Sequence, residues 1–320
     1  MARIAERLSY MELGDAMRIT RRSAVRNVTG GLAAMGLAAG ASESSANEIS
    51  HKTEPRRILK TLKIGMIKVK GNLTDKFNAA KQAGFDGVEL DSPGFNVAEA
   101  QEAIEASGLP VDGTVCSTHW NVRHSDPSEK VRAQAVADLT TAIKDTKAVG
   151  GHTVLLVVGR GTDGSQEEVW DRSIESIRRV LPLCAELGMT IAIENVWNQF
   201  LYVHNGPNDQ TADQFVKYVD ELDSPWVGMQ FDIGNHWKYG NPADWIRQLG
   251  RRVVKLDIKG YSRGRNGWAA ITEGDLPWSD VRLALDEIKF HGWVAAEVGG
   301  GDVDHLKNVA KQIDSALNIG

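Results

Sequence analysis

The sequence predicts an α/β protein built as a single-domain (β/α)8 TIM barrel, preceded by an N-terminal export signal. Eight short apolar runs alternate with longer segments of helical period between residues 62 and 318. Parallel strands need helical crossovers, and eight of them are enough to close a sheet on itself. The chain has 320 residues, 42% hydrophobic and 25% charged, which suits one large globular barrel.

The first 50 residues have the features of a targeting segment and linker, and the barrel is expected to occupy residues 51–320. Arg21 and Arg22 precede a weakly apolar Gly/Ala-rich run at residues 28–41 and then a Ser-rich stretch. This order is typical of a twin-arginine export signal, with a candidate cleavage site at residues 39–41. We therefore expect an exported, periplasmic protein; if the segment is instead an amphipathic helix, the protein is cytoplasmic. No other run approaches the roughly 20 apolar residues of a membrane span.

The barrel elements follow in order along the rest of the chain. Short runs bounded by turn residues predict strands at residues 62–68, 87–90, 111–119, 153–159, 190–195, 227–233, 253–259 and 292–298. Helix-period segments lie between them, for example at residues 128–148 and 167–187, and a last helix is expected over Val303–Leu317. A doubly wound open sheet would need a Gly-rich phosphate turn after its first strand, and the stretch GMIKVKGN is a poor match.

Composition argues against two classes of protein. Cys116 and Cys184 are the two cysteines, each in an apolar run, so neither a disulfide framework nor a cysteine metal site is expected. A net charge of -5 argues against a nucleic-acid ligand, which requires a basic face. A small neutral or polar substrate fits this charge balance better.

Carboxylates end four consecutive strands, the fifth to the eighth, at Glu194, Asp232, Asp257 and Glu297. The carboxyl ends of parallel barrel strands form one mouth, where barrel enzymes place their active sites. Strand alternation puts small residues such as Ala192 and Ala295 on the same inner face, which leaves room beside the acids. Four acids at one mouth would repel one another and have raised pKa values unless a cation neutralises them. We therefore expect a divalent metal ion at this mouth.

Five predicted strands carry recognisable sequence motifs: GFDGVELD at strand two, AIEN at strand five, FDIGNHW at strand six, LDIKGYSR at strand seven and GWVAAEVGGGD at strand eight. From about residue 60 to 318, the chain therefore resembles the xylose isomerase-like TIM barrels, in the branch of sugar (phosphate) isomerases and epimerases typified by D-tagatose 3-epimerase. The family's metal ligands are Glu, Asp, His and Glu, which implies Glu194, Asp232, Asp257 and Glu297 here. Asp257 departs from the pattern. An all-oxygen set favours Mn²⁺ or Mg²⁺, with Zn²⁺ or Co²⁺ also open.

The resemblance also implies a reaction. Glu194 and Glu297 would remove a proton from a sugar carbon and return one on its opposite face, while the metal polarises the neighbouring carbonyl. Arg263 matches a family arginine that contacts substrate oxygens, and Lys259 is placed to offset part of the negative charge. The other substrate-binding candidates are polar or aromatic residues at strand ends and in loops: Glu89, His119, Trp120, Trp197, Asn198 and His236.

Several functions stay open on the sequence alone. A metal-dependent sugar isomerase or epimerase is the first, and a lyase or hydrolase acting on 3-keto-glycosides would use the same metal and base. An endonuclease IV-type DNA-repair enzyme would need more His ligands and a basic face, and a non-catalytic sugar-binding barrel would not need four such acids. Residues 299–301, GGG, are a weak candidate for a phosphate clamp. A small carbohydrate is therefore the expected partner. If the export signal is real, a free sugar or keto-glycoside fits better than a phosphorylated one, and homo-oligomer formation stays open.

Overall fold

The computed structural model describes residues 58–319, and in this range eight parallel strands form a closed barrel. Each barrel strand pairs with the barrel strands before and after it in the chain, and the first pairs with the last. The barrel strands are β1 (Ile58–Lys63), β2 (Gly87–Ser92), β3 (Val111–Cys116), β4 (Thr153–Leu156), β5 (Thr190–Glu194), β6 (Val227–Asp232), β7 (Val253–Ile258) and β10 (Gly292–Ala296). The predicted barrel is confirmed for the described residues.

Two further strands, β8 (Gly260–Ser262) and β9 (Gly267–Ala269), form an antiparallel hairpin directly after β7. This hairpin was not predicted, because strands of three residues carry too little alternation to be recognised. Tyr261 pairs with Trp268 across the hairpin, and Trp268 lines a cavity at the barrel mouth together with Glu194. The loop after the seventh barrel strand is therefore an ordered part of the mouth.

Nine α-helices lie in residues 58–319, connecting the strands and packing on the outside of the barrel. They are α1 (Leu73–Gln82), α2 (Val97–Ser107), α3 (Glu129–Ala148), α4 (Gln166–Arg178), α5 (Leu181–Leu187), α6 (Asp213–Glu221), α7 (Pro242–Leu249), α8 (Trp278–Glu287) and α9 (Val303–Leu317). Capping boxes fix two helix starts, Asn72 with Asp75 at α1 and Ser165 with Glu168 at α4. Helices α3 and α9 lie where the periodicity predicted them.

Two elements differ from the prediction. The first strand is β1 rather than residues 62–68, because residues 58–62 pair with β10 and residues 61–63 pair with β2. The barrel pairing of this strand ends at Lys63, and a 3-10 helix, Ile64–Met66, follows. The single helix predicted at residues 167–187 is two helices, since Pro182 lies in the first turn of α5 and has no N–H to continue α4.

Side chains alternate between the barrel interior and the surrounding helices along each strand. In β1, Lys60 points outward, with Nζ 2.6 Å from Oδ1 of Asp314 in α9, whereas Thr61 points inward and donates a hydrogen bond to Asp112. The next inward residue of β1 is Lys63, whose Nζ lies 3.0 Å from Oδ2 of Asp257. Alternation therefore decides which charged side chains enter the barrel.

The apolar core lies mainly between the strands and the helices. Buried side chains there include Phe77, Leu139, Ile143, Ile177 and Ile313. Burying a side chain of this size contributes about 1.5–3 kcal/mol relative to exposure, so this outer shell stabilises the barrel strongly. The interior of the barrel can then hold polar and charged groups without loss of the fold.

The predicted export signal and the boundary at residue 50 fall outside the described residues, so both stay predictions. Within residues 58–319, no helix is long and apolar enough to cross a membrane. Cys116 and Cys184 are buried free thiols, as the sequence led us to expect.

Candidate active site

Four carboxylates meet at the carboxyl end of the barrel. Glu194 and Asp232 are the last residues of β5 and β6, Asp257 lies near the end of β7, and Glu297 follows β10. Each carboxylate offers an oxygen atom, and these four oxygen atoms all lie within 4.8 Å of one another. Strand register explains the convergence, since Asp232 pairs with Asp257 and the Glu297 N–H donates to the Ile258 carbonyl at 3.0 Å. The structure thus brings together the four acids singled out in the sequence.

Two lysine ammonium groups lie against these acids. Lys259 Nζ is 2.9 Å from Asp232 Oδ2 and 2.6 Å from Glu297 Oε2. Lys63 Nζ, at the end of β1, is 3.0 Å from Asp257 Oδ2. Lys259 was expected to offset part of the negative charge, whereas Lys63 was missed because the first strand was predicted to begin at residue 62. Once that strand is placed correctly, alternation at its end points Lys63 into the barrel.

The charges and acceptors of this cluster fit a divalent cation. Four carboxylates and two ammonium groups leave two negative charges when all are ionised. The atoms Asp232 Oδ2 and Glu297 Oε2 are buried and accept no hydrogen bond of ordinary geometry, although the Lys259 ammonium group lies near both. Carboxylate oxygens are the ligands that Mg²⁺ and Mn²⁺ prefer. One divalent ion would therefore bring the cluster to neutrality.

Burial and neighbouring charges shift the pKa values of the four acids in different directions. Burial, assisted by the nearby Glu297, raises the pKa of Glu194 well above its ordinary value. Burial also raises the pKa of Asp232 to about 7 and that of Asp257 to about 6. Glu297 is only partly buried, and Lys63 and Lys259 outweigh that burial and lower its pKa to about 2. Without another cation, the cluster therefore retains protons near neutral pH.

Two asparagines orient the carboxylates. Asn235 donates from its backbone N–H to Asp232 Oδ1 at 2.7 Å and from Nδ2 to Glu194 Oε1 at 3.4 Å. Asn195 Oδ1 accepts a hydrogen bond from the Asp232 N–H at 2.7 Å. Asn235 lies in the turn after β6, where strand alternation no longer predicts side-chain direction, so its role was not predicted.

A second charged layer lies deeper in the barrel. Lys255 precedes Asp257 by two residues on β7, and its Nζ lies 2.5 Å from Glu89 Oε1 and also contacts Asp112 Oδ2. Gln230 Nε2 joins the two layers by donating to Asp257 Oδ1 at 2.9 Å. Glu89 was predicted to bind a sugar hydroxyl, but it is fully buried and does not line the mouth cavity. Its ion pairs inside the barrel hold it there.

A cavity of about 490 Å³ opens beside the acid cluster. Glu194, Glu297 and the two lysines supply much of its polar lining. Its aromatic lining consists of residues from three different loops: His119, Trp120, Trp197 and Trp268. Of the predicted substrate-binding residues, His119, Trp120, Trp197 and Lys259 therefore lie at the cavity. Trp268 was missed together with its hairpin.

His119 presents a hydrogen-bond donor in this cavity. The Val157 N–H donates to His119 Nδ1 at 3.2 Å, so the neutral ring carries its proton on Nε2. Burial lowers the pKa of His119 to about 3, which keeps the ring neutral near neutral pH. The remaining N–H is suited to a sugar hydroxyl or carbonyl oxygen.

Asn198 and His236 were predicted to bind substrate, but neither lines the cavity. His236 Nδ1 accepts from Asn195 Nδ2 at 3.1 Å, and its ring packs 4.7 Å from that of Trp245. It therefore supports Asn195 from behind the acids. Asn198 Nδ2 donates to the Gly159 carbonyl at 2.8 Å, which connects two loops of the mouth.

Arg263 is also away from this cavity, contrary to the expectation that it contacts substrate oxygens. Its guanidinium lies 3.5 Å from the ring centroid of Trp237. It donates to the backbone carbonyls of Trp237, Asn208 and Gly240. Because these contacts use the guanidinium donors, Arg263 fastens the loops after β5, β6 and β7 to one another.

A larger cavity, of about 980 Å³, lies beside α4 and the loop after β5. Trp170, Tyr202 and Gln210 are among its lining residues, and none of the four acids is. Size therefore does not identify the candidate site here; the converging carboxylates do.

The chain is similar to known proteins in sequence. The model of the xylose isomerase-like TIM barrel family matches residues 77–318, more than half of the chain. D-psicose 3-epimerase of Enterocloster bolteae is 25% identical over 127 residues. That match covers 39% of this chain and 39% of the relative, so this chain is matched to well under half of that protein's length.

Two solved structures share the fold over nearly their whole length. The 3-keto-D-glucoside 4-epimerase of E. coli superposes with a TM-score of 0.67 at 18% identity, covering 81% of this chain and 99% of the other. A D-tagatose 3-epimerase-like protein gives a TM-score of 0.66 at 19% identity, covering 81% and 98%. At such identities the similarity shows the fold, and the chemistry has to be argued from the site.

Proposed function

Because the chain belongs to the xylose isomerase-like TIM barrel family, we propose that it is a metal-dependent sugar isomerase or epimerase. The observation that carries this proposal is the convergence of Glu194, Asp232, Asp257 and Glu297 within 4.8 Å at the barrel mouth. Two of the similar proteins named above, the 3-keto-D-glucoside 4-epimerase and the D-psicose 3-epimerase, are sugar epimerases, which supports a reaction of the isomerase class. Export to the periplasm, expected from residues 1–50, is part of the same proposal and rests on the sequence.

The four acids would hold the metal ion, with Mn²⁺ or Mg²⁺ favoured by the all-oxygen set. When bound, the ion would polarise the carbonyl group of a keto-sugar and so make the neighbouring C–H more acidic. Lys259 and Lys63 reduce the remaining negative charge on the protein side. Asn235 holds Glu194 and Asp232 in fixed orientations through its N–H groups.

Glu194 and Glu297 are the residues that we propose move protons. Both line the cavity, and they stand on the fifth and eighth barrel strands, so they approach a bound sugar from different sides. One carboxylate takes a proton from the substrate carbon, and the other delivers a proton to the opposite face. The His119 Nε2–H can hold a sugar oxygen in place while this happens.

A lyase or hydrolase acting on 3-keto-glycosides is the second candidate. It would use the same proton abstraction, followed by loss of the glycosidic oxygen instead of return of a proton. One feature of the barrel mouth supports this second candidate. Trp120 lines the cavity and is 39% exposed, which leaves room for a group beyond the reacting sugar.

The test is solvent exchange measured together with product identity. The purified full-length protein would be incubated with Mn²⁺ in D₂O with free ketoses, ketose phosphates and 3-keto-glycosides. Deuterium at the carbon beside the ketone without bond cleavage supports the epimerase or isomerase, and release of the aglycone supports the lyase. Absence of both exchange and cleavage with every class would refute the proposal.

Variants of the two glutamates sharpen the test. Glu194→Gln and Glu297→Gln should each lower turnover by about 10² to 10⁴ while the protein stays folded, since the amide is close in shape but is not a base. Glu287→Gln removes a carboxylate that pairs with Arg247 on the outside of the barrel and serves as the control. Near-normal turnover in both cavity variants would show that these glutamates do not perform the chemistry.

A further inference from the structure

Two exposed tryptophans stand at the rim of the candidate active site. Trp120 is 39% exposed and Trp268 is 53% exposed, and both line the cavity that contains Glu194 and Glu297. Removing a large aromatic side chain from water is favourable. Exposed aromatic rings beside the carboxylates of a cavity therefore indicate surfaces that a ligand covers.

The two rings come from opposite sides of the barrel mouth. Trp120 follows β3, and Trp268 lies on the hairpin that follows β7, the seventh strand of the barrel. In the closed order of eight strands, the third and the seventh are four positions apart, which is half of the circumference. Trp120 and Trp268 therefore provide two separate platforms rather than one stacked pair.

The platform at Trp268 belongs to the reacting end of the cavity. Its ring stacks on Trp197 with centroids 5.0 Å apart, which fixes its orientation. Lys259 Nζ lies 5.1 Å from the Trp268 ring centroid and 2.6 Å from Glu297 Oε2. A sugar ring placed against Trp268 is therefore next to the proposed proton-transfer carboxylate.

The platform at Trp120 has different neighbours. The Arg160 guanidinium lies 5.8 Å from its ring centroid, and Arg160 Nη2 donates to the Trp120 carbonyl at 2.9 Å. The His119 ring meets it edge-on at 5.6 Å. These groups offer an aromatic face with hydrogen-bond donors around it, which suits a second polyhydroxylated ring.

We propose that the substrate is a keto-glycoside with two rings, whose ketone-bearing ring packs against Trp268 and whose second ring packs against Trp120. This inference rests on the proposed function for the reaction at the acids. It adds that a free monosaccharide fills only part of the site.

The experiment compares a 3-keto-glucoside that carries a second sugar ring with methyl 3-keto-glucoside, both with Mn²⁺ and the full-length protein. The unsubstituted protein should prefer the two-ring compound in kcat/KM. Trp120→Ala should reduce that preference by about 10-fold, the effect of losing one aromatic platform, chiefly through KM. Trp120→Phe keeps an aromatic face and should retain most of the preference. Leu283→Ala, which alters an exposed side chain of α8, is the control for handling and folding.

The outcomes separate this inference from the proposed function. Equal kcat/KM for the two compounds, or equal losses on both in Trp120→Ala, would overturn the two-ring assignment while leaving the reaction intact. If neither compound reacts, the full substrate panel described above decides the proposed function, and binding of the corresponding unoxidised glycosides, measured by calorimetry, decides the inference. The quantity to compare is the Kd of the one-ring glycoside divided by the Kd of the two-ring glycoside. A ratio well above one that falls about 10-fold in Trp120→Ala supports the two-ring inference, and a ratio near one overturns it.

Discussion

Replacing Lys63 with methionine should destabilise the metal-free protein and increase the stabilisation that a divalent ion provides. Lys63 Nζ lies 3.0 Å from Asp257 Oδ2 and 3.6 Å from Glu89 Oε2. At an effective dielectric constant of about 20, two unit charges 3 Å apart interact by about 5 kcal/mol, and removing one partner of a buried pair typically costs about 3–5 kcal/mol. We therefore expect the free energy of unfolding in chelator to fall by about 3 kcal/mol.

The response to metal should change in the opposite direction. With all four acids ionised, loss of the Lys63 ammonium leaves three negative charges on the acid cluster instead of two, so a divalent ion should bind more tightly. A ligand present at about 100 times its Kd raises the free energy of unfolding by about 2.7 kcal/mol. At the same Mn²⁺ concentration, the increase in this free energy should be larger for Lys63→Met than for the unsubstituted protein. Urea unfolding with EDTA and with Mn²⁺ measures both quantities.

Lys60→Met is the matched control for this experiment. Lys60 lies on the same strand, and its Nζ is 2.6 Å from Asp314 Oδ1, but it points outward to α9. Its replacement should also lower stability, yet the stabilisation by Mn²⁺ should stay that of the unsubstituted protein. The reasoning is refuted if Lys63→Met is as stable as the unsubstituted protein in EDTA, or if the two variants respond to Mn²⁺ alike.

Three further predictions concern single substitutions. Asp232→Ala should lose the bound divalent ion, expected at about one per chain, and elemental analysis that shows undiminished metal would contradict its role as a ligand. Asp257→His should shift metal preference toward Zn²⁺ or Co²⁺, because imidazole suits those ions; unchanged selectivity in competition binding would exclude Asp257 from the ligand set. Burial lowers the pKa of His124 to about 3, and its Nδ1 lies 2.7 Å from Ser176 Oγ. The unfolded chain therefore takes up this proton first, so stability is present above about pH 6.5 and is lost as pH falls toward 3. His124→Gln should lower the slope of unfolding free energy against pH by up to about 1.4 kcal/mol per pH unit between pH 6 and 4, and an unchanged slope in urea titrations would contradict a buried neutral histidine.

The four acids could be predicted because their positions depend on two regular properties of the chain. Strand alternation has a period of two, and parallel barrel strands all end at one mouth. A carboxylate at the end of strands five to eight must therefore meet the others, as Glu194, Asp232, Asp257 and Glu297 do. An error in strand bounds can hide such a residue. The first strand was predicted at residues 62–68 but is Ile58–Lys63, so Lys63 was missed although it obeys the same rule at the carboxyl end of its strand.

The remaining site residues depended on the tertiary structure, because loop side chains take their direction from whatever packs against them. Arg263 and His236 are in motifs of the mouth, yet contacts with Trp237 and Asn195 turn them away from the cavity. Trp268 enters the site through a hairpin too short to predict. The sequence by itself thus determined the barrel and its ring of acids, since both follow from backbone periodicity. Only the folded structure added Lys63 and Trp268 to the predicted Lys259, Trp120 and Trp197, because their places at the mouth depend on contacts between distant segments.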